Sequence, residues 1–140
     1  MKTFLLILTM LTAMSFQATN SFPSSAPEIP ANQTLIAGVC GFITEGNIQK
    51  KVLQDCKGLY TFDGTTHKQA KNPVISYEAV LIPKPGVTQV IVNSGGAFAV
   101  EVTQFINQSK AGDQIIFRKI KAKVKGGDVQ SLNSIPLTIE

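Results

Sequence analysis

The spacing of hydrophobic and polar residues changes several times along the chain, and each change marks an element. "TLIAGVC" (34–40) is a short apolar run and predicts a first strand. "TEGNIQKKVLQDC" then switches to a spacing of four, with Ile48, Val52 and Cys56 in line and Leu53 beside them. That spacing predicts a short helix with one apolar stripe, leaving Gln49, Lys50 and Gln54 outside. Gly58 follows where a C-cap glycine is expected. "LYTFDG" alternates as a strand does, and "TTHKQAKN" is a polar loop. Two β-rich runs, 74–82 and 87–92, flank "PKPG" and predict a hairpin, with Pro85-Gly86 supplying the turn chemistry. Val102, Phe105 and Ile106 fall at i, i+3 and i+4, the mark of a second short helix that ends by Gly112.

"GDQIIFRKIKAKVKGGDVQ" (112–130) carries the most regular alternation. It predicts a long strand over 113–125, a turn at Gly126-Gly127 and a return in one or two strands. Residues two apart share a strand face, so Lys119, Lys121, Lys123 and Lys125 point together while Ile120, Ala122 and Val124 point inward. Phe117 stands an odd step from Ile120; a bulge, or burial on both faces, would let both be buried. The chain thus holds seven or eight short strands and two short helices with turn residues between them. The expected fold is mainly β, an antiparallel β-sandwich (Ig-like or related) with two short helices.

The first residues break this pattern. Lys2 precedes an apolar run from Phe4 to Met14, and small residues follow, the arrangement of a secretory leader. Residues 1–18 are therefore expected as a signal peptide whose cleavage point the small residues do not fix. The run is too short to cross a hydrocarbon core of about 30 Å, so no stable membrane anchor is expected after cleavage. Residues 19–33, with prolines at 23, 27 and 30, have no hydrophobic period and read as a flexible linker. The folded domain is expected over 34–140.

Composition adds compartment and partner class. Hydrophobic residues make up 44% and charged residues 16%, a balance that favours a packed domain over a disordered chain. The formal net charge of +4 is a mild excess that by itself is not a nucleic-acid signature. The lysine stripe reads most simply as a solvated strand face whose charges also discourage edge-to-edge aggregation. Its functional reading is a face for an anionic protein. Nucleic acid is not expected, because the residues between the lysines are core aliphatics and not exposed aromatics.

Little in the chain could carry catalysis. His67 is the only histidine and lies in a polar loop; the nine acids form no close pair in sequence. Two cysteines and one distant histidine do not make a zinc set of the usual spacing. No cofactor, metal site or enzymatic activity is expected. Cys40 and Cys56, sixteen apart in an exported chain, are expected as a structural disulfide, the alternative being two buried thiols.

These residues also resemble a known family. "GDQIIFRKIKAKVKGGDVQSLNSIPLTI" looks like the closing motif of the C-terminal domain of GldM (PorM), where Gly-Asp opens a strand of the form I-x-F-x-x-I-K-A-K. "GFITEGNIQKKVLQDCKGL" is similar to that domain's turn, short helix and "GL" exit, and "ISYEAVLIPKPG" to its central strand. The resemblance covers about 34–140. GldM belongs to gliding motility and type IX secretion, with a transmembrane helix, a motor segment and a long periplasmic shaft. Here a leader stands in their place, so energy coupling is not implied. What the resemblance implies is a stand-alone exported domain, most simply periplasmic, that contacts proteins of the cell envelope and could pair as a homodimer. The alternative is a secreted or periplasmic β-domain that binds a small ligand or carbohydrate and shares the fold only.

Overall fold

Eight strands and two helices form the domain in the computed structural model, which describes residues 34–140. The expected leader (1–18) and linker (19–33) lie outside the described residues. In chain order the elements are β1 (Leu35–Val39), β2 (Gly46–Ile48), α1 (Lys50–Gln54), β3 (Leu59–Asp63), β4 (Val74–Ile82), β5 (Gln89–Ser94), α2 (Val100–Gln108), β6 (Gln114–Lys123), β7 (Val129–Ser131) and β8 (Ile135–Ile139). β1 and β3 pair as an antiparallel ribbon. The other strands make one sheet in the order β2-β8-β6-β4-β5, with β7 also paired to β6. All its pairings are antiparallel except the short parallel contact of β2 with β8. The architecture is a β-sandwich in which the ribbon and both helices cover one face of the larger sheet.

The alternation read from the sequence builds this core. Ala79 and Leu81 of β4, Ile115 and Phe117 of β6, and Ile135 and Leu137 of β8 point inward. There they meet Ala37 and Val39 of β1, Leu59 of β3, Leu53 of α1, and Val102 and Ile106 of α2. Each fully buried large aliphatic or aromatic side chain contributes about 1.5–3 kcal/mol of transfer free energy. The buried Tyr77 keeps its polar end satisfied: its hydroxyl donates to the Ala97 carbonyl (2.8 Å) and accepts from the Ala99 N–H (3.2 Å). Burial pushes its pKa up, with the hydrogen bonds from Ala99 and Asn93 opposing.

Two local expectations are corrected. The first helix is only Lys50–Gln54: Ile48 belongs to β2, paired with Ile139, and Val52 is exposed while Leu53 is buried. Sheet pairing took Ile48, and the disulfide took Cys56, from the predicted stripe. Gly58 is not a helix cap, since Asp55 closes α1. A Cβ at Gly58 would collide with the Gly96 carbonyl oxygen, so its role is close backbone approach. The strands meet there: Leu59 N–H bonds Gly96 O (2.8 Å) and Phe98 N–H bonds Lys57 O (3.0 Å).

Asn133 links the two layers. Its side-chain oxygen accepts from Ala37 N–H (2.8 Å) and its amide donates to Ala37 O (3.2 Å), so it pairs with the edge of β1 as a strand would. The turn after β6 uses Gly126 and Gly127, both at positive φ (96° and 93°), as the Gly-Gly pair predicted.

Candidate interaction face

The face in question is built on β6. Ile115 and Phe117 point inward in the first half of the strand, and Ile120 and Ala122 in the second, so the inward set changes parity between 117 and 120. Lys119 absorbs the odd step. It sits at φ 52°, in the left-handed region, as the extra residue of a bulge. The pairing with β4 shifts there, from Glu78↔Arg118 to Ser76↔Lys121. Of the two arrangements the sequence left open, the bulge is the one present, and it buries both Phe117 and Ile120.

Downstream of the bulge the alternation runs as read. Lys119, Lys121, Lys123 and Lys125 are exposed, and Ile120, Ala122 and Val124 are buried. Glu78 stands on the neighbouring strand among these cations. Arg118 Nε donates to its carboxylate at 2.9 Å, and Lys119 Nζ lies 3.6 Å from the other oxygen. The Arg118 hydrogen bond holds the Glu78 carboxyl below its ordinary pKa, with burial opposing and Lys119 adding to the effect. Glu78 itself borders a shallow hollow of about 240 Å³, together with Ser76, Tyr77, Val92, Lys119, Lys121 and Ser131. With the Glu78 carboxylate engaged by Arg118 and Lys119, its lining can present the Lys121 ammonium and the Ser76 and Ser131 hydroxyls to an anionic group.

The cysteines form a disulfide, Cys40–Cys56, with Cα atoms 5.2 Å apart. This ties the turn after β1 to the end of α1, and it fits an oxidising compartment. Cys40 itself has φ 50° and opens a tight turn closed by Val39 and Ile43. A second hollow, of about 380 Å³, lies against the disulfide and is lined also by Val52, Asp55, Lys57 and Tyr60. Sequence reading missed this site, because Val52 had been placed on the buried stripe.

His67 lies in the loop after β3, as expected, and stacks on Phe42 with ring centroids 4.2 Å apart. Phe42 in turn meets Phe62 edge-on, so the histidine acts as a packing partner at the end of the ribbon. Among the described residues no group of three or more His, Cys, Asp or Glu could hold a metal ion. Among them, too, no helix is long and apolar enough to cross a membrane.

The family described as GldM C-terminal domain has a sequence model that matches residues 23–140. The match takes in the whole described domain and the stretch just before it. No curated protein matches the chain.

Proposed function

Because the chain belongs to the GldM C-terminal domain family, we propose that it is a non-enzymatic, exported protein-interaction domain of the cell envelope, associated with gliding or type IX secretion machinery. The observation that carries this reading is the extent of the match, which spans the entire β-sandwich and not one motif. The Cys40–Cys56 disulfide supports an oxidising, extracytoplasmic location, most simply the periplasm. The exposed lysine row of β6 offers protein partners a charged face. Nucleic acid and cofactors have no part in this reading.

Affinity capture with the tagged full chain from envelope extract, identified by mass spectrometry, tests it. Co-purification of secretion or gliding components, competed by untagged chain, is expected. Capture of none of them would count against the assignment.

One observation favours a second reading, binding of a small ligand or carbohydrate: the hollow beside the disulfide, where Tyr60 stands at the rim. Calorimetric titration with a panel of oligosaccharides separates the two readings. Heat that disappears in Tyr60→Ala would favour the ligand.

A further inference from the structure

The uncovered face of the six-stranded sheet has a composition that a merely solvated face does not need. The register sets it out in rows. Ile116 of β6 stands opposite Pro136 of β8 and Val80 of β4, and Val80 stands opposite Val90 of β5. These four alternate with the inward-facing residues, so together they form an apolar row across four strands. At about 4.8 Å between strands, the row is roughly 14 Å long. Val80 is only 7% exposed although it faces away from the core, and Val90 at the sheet edge is 47% exposed. The next row is Arg118, Glu78 and Val92, with Val92 73% exposed. Beyond it comes Lys121 beside Ser76, Ser94 and Ser131, and then Lys123. Among the described residues both helices pack on the opposite side, where Leu53, Val102 and Ile106 join the core.

An antiparallel sheet can leave one face to water, but that face is ordinarily polar. Here an apolar row adjoins a cationic field of Arg118, Lys119, Lys121 and Lys123, in which Glu78 is the one acid and already has its partners. Charge decides among occupants. A second copy laid face to face would set these cations against one another. The chain's own first 33 residues carry a single acid, Glu28, and match the field poorly.

We propose that this face docks an acidic segment of a partner protein, its apolar residues on the Pro136–Ile116–Val80–Val90 row and its carboxylates on the β6 lysines. From Ile116, Arg118 is about 7 Å along the strand and Lys121, past the bulge and opposite Ser76, about 13 Å. The segment therefore bears apolar side chains followed by acids over that distance. This inference rests on the protein-interaction reading above and names the surface and the chemistry of its partner.

Site-directed photo-cross-linking tests both and keeps them apart. Benzoylphenylalanine replaces Val92 on the proposed face in one full-length chain, and Tyr60 on the ribbon in another; each is irradiated in native cells. The expected result is an adduct at position 92 whose cross-linked peptide is acid-rich. Its yield should fall roughly tenfold when Lys119, Lys121 and Lys123 are changed together to Gln, as three exposed ion pairs are lost. Circular dichroism confirms that the variant is folded. Adducts only at position 60 overturn the face and leave the protein-interaction reading standing. An adduct at 92 that is acid-poor, insensitive to the lysines or formed with a second copy overturns the proposed chemistry. No protein adduct at either position overturns both.

Discussion

Among the described residues, Asp113 is the charged one most enclosed by the fold, at 2% exposure. One carboxylate oxygen accepts from Lys84 N–H at 2.9 Å and the other from Lys110 N–H at 3.0 Å, so the residue ties the β4–β5 connection to the loop before β6. Burial acts to raise its pKa, but the two N–H groups and the nearby Lys110 charge outweigh it and hold the carboxyl below its ordinary value. The sign of the pH dependence follows. A carboxyl with a folded-state pKa below its unfolded one adds stability above the unfolded value, and that stability is lost as pH falls through the folded one. Asp113→Asn should therefore flatten the decline of melting temperature below about pH 4. At neutral pH it should cost about 1–3 kcal/mol, because the amide nitrogen cannot accept from a backbone N–H. Melts from pH 2 to 7 check both; a variant with the wild-type acid limb would show that another group governs it.

At the scale of the element, β6 concentrates the fold's main decision. Its two faces should answer mutation very differently. Ile120→Asp places an unpaired charge in the core at a cost of several kcal/mol and should unfold the domain. Lys119, Lys121 and Lys123 changed together to Gln should leave urea midpoints nearly unchanged, since exposed charges contribute little to stability. The bulge gives a finer test. Lys119 holds a left-handed φ that costs a residue with a Cβ about 1 kcal/mol, a cost glycine escapes. Lys119→Gly should thus be neutral or slightly stabilising, whereas Lys121→Gly, in ordinary extended backbone, should lose about 0.5–1 kcal/mol. Equal losses at both positions in chemical denaturation would mean that the bulge is not held at Lys119.

At the scale of the molecule, two devices outside the core fasten the ribbon to its surroundings. Asn133 is one, bonding the backbone of Ala37 across the sandwich. The disulfide is another, closing a loop of sixteen residues between the ribbon and α1. In the chain-entropy picture such a loop is worth about 3 kcal/mol. Changing Cys40 and Cys56 together to Ser should lower denaturant stability by about that amount. Intact mass of the unreduced wild type should be two hydrogens lighter than the reduced form. Thiols that alkylate freely in oxidised native protein would contradict the bond.

The sequence by itself determined whatever depends on local periodicity. The alternation of Lys119 to Lys125 with Ile120, Ala122 and Val124 named both faces of β6, and the odd step at Phe117 called for either a bulge or burial on both faces. Gly126-Gly127 marked its turn, while a pair of cysteines in an exported-type chain suggested the disulfide without fixing it. Tertiary structure decided whatever depends on partners far along the chain. Ile48 left its helical stripe because Ile139 offered strand pairing ninety-one positions away. Gly58 is required because Gly96 passes against it, and no window around either residue contains the other. The apolar row has the same origin. Val80, Val90, Ile116 and Pro136 come from four strands, and each alone reads as an ordinary strand residue. Only the register aligns them beside the lysines, because a sheet assembles its faces across strands while a sequence runs along them.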